Sequence, residues 1–249
     1  MSVALAVVLY LKLRYHSDIH SSRGDAMGRW SLTWERIRRT GLSHWRLLTM
    51  QVRWRQRNPH NLTLPVNVFP IDRVTVGHHT YGPLQIHTWG DPSEHLTIGH
   101  YVSIARGVQF VLGGNHDYHR LSTYPMETMV LHQRPFEALT KGPIEVADDV
   151  WLGMDAMILS GVSIGQGAVV AARSVVTHSI PPYAIVAGNP ARILRYRFPD
   201  HVIATLLSID YSQLDEATVR DYAALFTTAV TDDLISMLEH LPRKTLPSR

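Results

Sequence analysis

The chain of 249 residues contains no cysteine. Disulfide bonds, thiolate zinc sites and cysteine nucleophiles are therefore excluded together, and the fold does not depend on the redox state of its compartment. Charged residues make up only 18% of the chain against 45% apolar residues, so that a substantial core can be buried in one or two domains. Composition by itself does not separate an enzyme from a scaffold.

A long hydrophobic run is also missing. The longest apolar stretch near the start, residues 3–11, stops at Lys12 and has about half of the ~20 residues that a membrane-spanning helix needs. Its basic residues follow the apolar stretch, whereas a secretory signal peptide carries them in front. We expect neither a transmembrane segment nor secretion, and therefore a cytoplasmic protein.

Residues 29–57 form a basic, aromatic segment with eight arginines, four tryptophans and a single acid, Glu35. Apolar positions at three- and four-residue spacing predict two short amphipathic helices separated at Gly41. Their apolar faces could lie on an anionic membrane surface, as a peripheral contact, or pack on the rest of the protein. No nucleic-acid-binding motif accompanies the arginines, so a nucleic-acid partner is not expected.

Residues 58–70 are rich in proline and asparagine and are interpreted as a linker. Beyond them a period of six appears. Every sixth residue from Val146 is aliphatic, and the residue four positions after each is small or aliphatic. The first series is Val146, Leu152, Ile158, Ile164, Val170 and Val176, and the second is Val150, Ala156, Val162, Ala168, Ser174 and Ile180.

A period of six matches neither an α-helix nor a half-buried strand. It fits a triangular coil in which each six-residue unit is one short strand and a corner, so that a turn takes ~18 residues and turns stack at the ordinary strand spacing. The sequence therefore predicts an all-β fold, a left-handed parallel β-helix, with the aliphatic series pointing inward. Gly153, Gly165 and Gly167 are expected at corners that need a positive φ.

The period fails between Phe110 and Val146, which predicts an excursion loop over residues 113–143. After Pro190 the spacing becomes helical again. We expect an N-terminal helical arm (1–57), a β-helix domain (58–197) and a C-terminal helical cap and tail (198–249) that covers the last open coil.

Two segments carry a more specific resemblance. Residues 112–125 (LGGNHDYHRLSTYP) and 150–192 (beginning VWLGMDAMILSGVSIG and ending PPYAIVAGNPAR) resemble the xenobiotic acetyltransferase branch of the hexapeptide-repeat acyltransferases. That branch includes type B chloramphenicol and virginiamycin acetyltransferases and O-acetyltransferases of polysaccharide gene clusters. The resemblance covers about residues 60–240 and excludes the basic arm. It implies an acyltransferase that uses acetyl-CoA as co-substrate.

The resemblance places His116 where the family has a histidine that removes a proton from the acceptor hydroxyl. Imidazole is suited to that task near neutral pH. His119 lies three residues further on, but two histidines without a cysteine or a well-spaced acid are too few for a closed zinc site, so no metal is expected.

Other contacts follow from the resemblance by position. It implies a homotrimer whose active sites lie between subunits. Trp151 aligns with a tryptophan near the pantetheine arm, although packing at a subunit interface would also explain it. Arg173 and His178 depart from the small residue and the lysine that the family usually has at those positions. The implied cofactor contacts are Trp151, Gly153, Ala171, Thr177, Arg192 and Arg197, and the implied acceptor contacts are Tyr81, Asn115 and Ser122.

Three functions compete at this point. The leading hypothesis is acetyl transfer to a hydroxyl of a sugar or polysaccharide intermediate. The second is acetylation of an antibiotic, chloramphenicol or a streptogramin. The third is a non-catalytic β-helix scaffold, which the intact motif around His116 disfavours.

Overall fold

A computed structural model describes residues 25–230, 235 and 238–244. The apolar stretch 3–11 lies outside these residues. Within the described ranges, no helix combines the length and the apolar character needed to cross a membrane. The chain divides into two compact units, Met1–Leu48 and Thr49–Arg249.

The basic segment is one continuous helix, α1 (Asp25–Arg57), so the prediction of two helices separated at Gly41 is wrong. An isolated glycine inside a helix costs only about 1 kcal/mol relative to alanine, which a helix of this length tolerates. Among the residues that the structure describes, and apart from the helix's own backbone, no neighbouring group lies within 4 Å of the position that a Cβ of Gly41 would take. The glycine is therefore neither a break nor a packing contact.

The second unit begins with the last turns of α1, which pack on the first coil of the β-helix. Met50 and Trp54 are buried, the Trp54 ring meets Phe69 edge-on at 5.8 Å, and the indole N–H donates to Thr63 Oγ1 at 3.0 Å. Thr63 belongs to a strand inside the segment that the sequence analysis took for a linker. That interpretation was wrong because a buried Thr and Pro alternate there with exposed leucines, a weaker signal than alternating aliphatics.

The strands form three faces of a prism. In chain order, the strands are β1 Leu62–Pro65, β2 Val74–Val76, β3 Tyr81–His87, β4 Leu96–Ile98, β5 Ser103–Ile104, β6 Gln109–Val111, β7 Ile144–Val146, β8 Trp151–Leu152, β9 Met157–Leu159, β10 Ser163–Ile164, β11 Val169–Val170, β12 Val175–Val176, β13 Ala184–Gly188 and β14 Ala191–Tyr196.

Face 1 consists of β1, β5, β8, β11, β13 and the first half of β3, with β14 antiparallel at its edge. Face 2 consists of β6, β9, β12 and the second half of β3, and face 3 consists of β2, β4, β7 and β10.

The register confirms the triangular coil. Glu145 pairs with Ser163, Trp151 with Val169 and Met157 with Val175, in each case 18 residues further along the chain in parallel orientation. All six members of the aliphatic series from Val146 to Val176 are at most 2% exposed. The inward-pointing series predicted from the sequence is therefore the core of the prism.

The corners repeat a left-handed backbone conformation. The residue three positions after each inward aliphatic has a positive φ at Asp149, Asp155, Gly161, Gly167 and Arg173. The prediction of a positive φ is confirmed for Gly167 but not for Gly153 and Gly165. Those two glycines are required for space instead: a Cβ at Gly153 would lie 2.6 Å from the Ala172 nitrogen, and one at Gly165 would lie 2.4 Å from the Pro182 nitrogen.

Short helices follow the β-helix and enclose a second apolar cluster. They are α3 (Asp200–Leu207), α4 (Glu216–Asp221) and α5 (Ala223–Thr227), with 3-10 turns at Tyr211–Gln213 and Leu238–His240. Earlier in the chain, a 3-10 turn at Ile71–Arg73 precedes β2, and a short helix, α2 (Met126–Met129), lies in the excursion.

The C-terminal segment runs back along the corner between faces 3 and 1. Gln166 Nε2 donates to the Leu206 carbonyl at 2.9 Å, the Tyr101 hydroxyl to the Leu214 carbonyl at 2.8 Å, and His78 Nε2 lies 3.2 Å from the Ser212 carbonyl oxygen. These contacts extend from the last coils to the first. The segment therefore packs along one corner of the prism, whereas the sequence predicted a cap over the last open coil.

We predict that the two faces of β12 differ strongly in their effect on stability. Val176 is fully buried, whereas Val175 points outward and is partly exposed. Val176→Ala should lower the free energy of unfolding by about 2 kcal/mol, and Val175→Ala by less than about 1 kcal/mol. Chemical denaturation of both variants measures the difference, and equal losses would contradict the assignment of the core.

Candidate active site

Two enlarged corners lie on top of each other between faces 2 and 3. One joins β3 to β4 through residues 88–95, and the other joins β6 to β7 through residues 112–143. The second spans the residues of the predicted excursion. The corresponding corner one coil further on needs only residues 160–162. Both insertions therefore project from the same edge of the prism.

The excursion is closed at its base by Asn115 and Leu139, whose backbones exchange hydrogen bonds of 3.0 and 2.7 Å. The Asn115 side chain also donates to Ser160 Oγ of the next coil at 3.4 Å. Asn115, expected to contact an acceptor, thus fixes the stem of the loop. Ser122 Oγ accepts the Tyr124 N–H at 3.1 Å and tightens a turn of the same loop.

His116 follows this stem and is exposed. Its Nδ1 lies 2.5 Å from the backbone carbonyl oxygen of Thr123. A carbonyl oxygen can only accept a hydrogen bond, so Nδ1 carries the proton in this contact. The neutral ring consequently presents an unprotonated Nε2. This is the tautomer that a general base acting through Nε2 requires.

His116 borders a cavity of about 310 Å³ that is lined almost entirely by the excursion. Trp89, from the other enlarged corner, forms part of its wall together with Tyr124 and Phe136. Trp89 is not one of the individual acceptor contacts that the sequence predicted. Its position in a glycine-containing turn directly after a strand was the only signal, and that signal gives no information on which neighbouring coil the turn meets.

An ionic cluster around Arg120 stabilises the same loop. The Arg120 guanidinium lies 2.8 Å from a Glu137 carboxylate oxygen, 3.4 Å from Asp117 and 3.5 Å from Glu127. Desolvation raises the pKa of Glu137, but the hydrogen bond from the Thr128 N–H and the Arg120 charge outweigh it, so the pKa lies below its ordinary value. The cluster thus ties together three parts of the excursion.

Tyr81 and Trp151 lie on the outside of face 1. They are 51% and 56% exposed and are separated by Ser103, which pairs with both. Face 1 is opposite the corner from which the excursion leaves. Within one chain the structure therefore does not bring Tyr81 or Trp151 into the cavity that His116 borders.

Gly153 and Ala171 occupy equivalent positions in successive coils, at the corner between faces 1 and 2. The Gly153 N–H donates to the Val170 carbonyl at 2.8 Å and the Ala171 N–H to the Val186 carbonyl at 2.9 Å. Arg192 lies on β14, exposed, opposite Ala187 of β13. These residues, with Trp151, form one continuous group along the edge of face 1.

Thr177 and Arg197 lie apart from that group. Thr177 follows β12 at the corner between faces 2 and 3, and its Oγ1 is 2.8 Å from His178 Nδ1. Arg197 is at the third corner, where it binds Asp149 Oδ2 at 3.0 Å and the Gly167 carbonyl at 2.7 Å and stacks near the Tyr183 and Phe198 rings. Its guanidinium therefore forms most of its contacts within the chain.

The described residues contain no group of three or more histidine, aspartate or glutamate side chains that could hold a metal ion. The residues that line the cavity provide an imidazole whose Nδ1 contacts a carbonyl oxygen, an aromatic wall and an ionic cluster.

Several known proteins with similar sequences are named as acetyltransferases. The family model for the bacterial transferase hexapeptide (six repeats) matches residues 143–178. A chloramphenicol acetyltransferase of Klebsiella aerogenes is 39% identical over 127 residues, which are 49% of this chain and 60% of that protein. A probable macrolide acetyltransferase of Lysinibacillus sphaericus is 35% identical over 143 residues, which are 53% of this chain and 77% of that protein.

A solved hexapeptide-repeat acetyltransferase of Vibrio cholerae, complexed with acetyl coenzyme A, is 30% identical and aligns over 59% of this chain and 77% of its own, with a TM-score of 0.43. The coil of three strands and the matched repeat define a left-handed β-helix of hexapeptide type. The chain belongs to the hexapeptide-repeat acetyltransferase family. It spans 60% of the length of the chloramphenicol acetyltransferase that it matches.

We predict that Arg120 controls the order of the excursion. Arg120→Ala removes the shared partner of three carboxylates and should raise amide hydrogen exchange in residues 115–139 by an order of magnitude, about tenfold, with little change in the coil. Arg134→Ala is the matched control, because Arg134 pairs only with Glu127 among these acids, at 3.2 Å. Equal exchange in the two variants would contradict the role of Arg120.

Acidification should produce the same loosening. Because the folded-state pKa of Glu137 is lowered, its stabilising contribution is present above the ordinary pKa of a glutamate and is lost as the pH falls through the lowered value. Relative to the intrinsic exchange rate at each pH, the protection of the loop amides in the wild type should therefore fall toward that of Arg120→Ala at acidic pH.

Proposed function

We propose that this protein is an O-acetyltransferase that moves acetyl from acetyl-CoA to a hydroxyl of a sugar or polysaccharide intermediate, with His116 as general base. The observation that carries the proposal is the contact of His116 Nδ1 with the Thr123 carbonyl, which leaves Nε2 unprotonated at the edge of a cavity. The names of the acetyltransferase relatives support the reaction class.

The reaction follows from that tautomer. His116 Nε2 accepts the proton of the acceptor hydroxyl as the oxygen attacks the thioester carbonyl carbon. The tetrahedral intermediate collapses by breaking the carbon–sulfur bond, and the imidazolium returns its proton to the leaving thiolate. Because a thioester is already an activated acyl group, no covalent acyl-enzyme intermediate is required. The Thr123 carbonyl stabilises the imidazolium that forms between the two proton transfers.

The group along the edge of face 1 fits the donor. Gly153 and Ala171 leave backbone and small side chains at the surface of a straight groove, where pantetheine amides can form hydrogen bonds. Arg192 is suited to phosphate oxygens, because its guanidinium is exposed and its described hydrogen bond is to the adjacent Ala191 carbonyl, at 2.9 Å. Trp151 supplies an exposed aromatic surface beside them. Thr177 completes the proposed set from the next edge. Arg197 would contribute through its remaining donors.

A second copy of the chain is needed to complete this site. The excursion with His116 leaves the corner between faces 2 and 3, whereas Trp151 lies on the opposite face, face 1. Exposed or partly exposed apolar residues follow that face, interrupted by Ser103 between the second and the third: Leu62, Tyr81, Trp151, Val169 and Ile185. We propose a homotrimer in which the excursion of one subunit meets face 1 of its neighbour, so that three equivalent sites form.

Acetylation of chloramphenicol or a macrolide is the second candidate, since relatives at 39% and 35% identity carry those names. The two candidates share the base and the donor and differ only in the acceptor.

The basic helix supports a cytoplasmic protein with a peripheral membrane contact through residues 29–57. On the described turns of α1, Leu42, Trp45 and Leu48 are 42–57% exposed next to the exposed Arg46. An apolar surface flanked by cations suits an anionic bilayer, where glycan intermediates are assembled.

We predict that His116→Ala lowers acetyl transfer by roughly 100- to 10,000-fold, because proton removal from the hydroxyl is lost. Release of coenzyme A thiol in the presence of acceptor measures the reaction. His119→Ala is the matched control from the same loop and should keep near-normal activity. Full activity of the His116→Ala variant would exclude His116 as the base.

We also predict complementation between two inactive variants. His116→Ala and Trp151→Ala damage opposite sides of the prism, so a mixed trimer should contain intact sites built from two different subunits. Co-expression in equal amounts should restore about a quarter of wild-type activity. Light scattering of each variant verifies that it remains trimeric. No recovery of activity, or a fully active monomer, would contradict the shared site.

A further inference from the structure

The Trp89 indole lies directly against the segment that carries His116. A Cβ added to Gly114 would be 2.7 Å from Trp89 Cε2, and Gly114 also has a φ of +85°. Glycine is therefore needed at this position for space and for backbone conformation together. The absence of a side chain at Gly114 lets the indole approach the backbone two residues before His116, while the indole remains 43% exposed toward the cavity.

A buried carboxylate fixes the turn that presents this ring. The Glu94 side chain is 1% exposed and accepts hydrogen bonds from the backbone N–H groups of Trp89 and Gly90 at 2.9 and 3.1 Å. Arg73 balances its charge at 3.3 Å and also donates to the Asp91 carbonyl. The indole is thus held in place before any acceptor binds.

The charges around the cavity point to a neutral acceptor. Arg120 is the one lysine or arginine among the residues that line the cavity, and it is shared by three carboxylates, of which Asp117 and Glu137 also line it. An acidic acceptor would bring another anion toward these carboxylates without a free cation to receive it. The aromatic wall, in contrast, suits the flat apolar face of a ring compound.

We infer that the acceptor is a neutral pyranose ring whose apolar face packs on the Trp89 indole while one hydroxyl reaches His116 Nε2. Trp89 is the specificity-determining residue, and Glu94 is a positioning residue that acts through it. The inference rests on the proposed function, because it names the acceptor class of the same site.

The test uses the purified full-length protein with acetyl-CoA and pairs of methyl glycosides that differ only at C6, a neutral hydroxymethyl sugar and its uronic acid. We expect neutral members to be acetylated, with kcat/KM about tenfold or more above that of their acidic partners. Trp89→Ala should raise the KM for the neutral sugar about tenfold and leave kcat within about threefold, since stacking is lost but the base remains. Trp89→Phe should restore most of the affinity.

Tyr118→Ala is the control for a general disturbance of the loop, because Tyr118 is an aromatic residue of the same excursion, 77% exposed and outside the cavity lining. It should leave both constants unchanged. Equal use of neutral and acidic sugars, a fall in kcat without a change in KM for Trp89→Ala, or acetylation of chloramphenicol with no methyl glycoside accepted would each overturn the inference. Absence of transfer to every acceptor would instead defeat the proposed function.

Discussion

A backbone turn through the left-handed region at almost every corner is the constraint on which the remaining structure depends. Such a conformation costs an ordinary L-residue about 1–2 kcal/mol, and it recurs three positions after successive inward aliphatics. Buried aliphatic side chains and hydrogen bonds between coils compensate for it. Because most strands have only two or three residues and those of the middle coils pair on both sides, both long insertions occur at corners and not within faces.

The site follows from that tolerance. Both long insertions emerge at the corner between faces 2 and 3, in adjacent coils, so the turn with Trp89 and the excursion with His116 are placed in contact by the stacking of the coil. The excursion itself adds little to the apolar core. Its order comes from polar contacts of its own, the Asn115–Leu139 backbone pair at its base and the carboxylates around Arg120.

The corner between faces 3 and 1 binds the C-terminal segment. Burial raises the pKa of Asp149 there, and the opposing charge of Arg197 only partly offsets this effect. Burial likewise raises the pKa of the Tyr211 hydroxyl, which hydrogen-bonds to the Asp149 carboxylate. A buried polar group of this kind contributes little net stability but fixes the position of the chain that it binds. The C-terminal segment consequently covers the corner opposite face 2.

The sequence by itself determined the coil, the position of the excursion and the histidine within it. A period of six is a property of consecutive residues, and the motif around His116 is likewise continuous, so both can be recognised without knowing which segments meet. It did not determine that α1 is a single helix, that residues 62–65 form a strand, or that Gly153 and Gly165 serve close packing. Each of those depends on contacts with another part of the chain.

Only the tertiary structure decided how the proposed site residues are distributed in space. His116 and Trp151 lie on opposite sides of the prism, and Arg197 forms an ion pair with Asp149. Trp89 contacts Gly114 of a neighbouring coil. The physical reason is that the spatial neighbours of a residue lie about one coil, 18 residues, away in the regular part of the chain, and further away where a corner is enlarged. The distance along the chain between two neighbours therefore depends on the lengths of all the corners between them, which no local sequence pattern encodes.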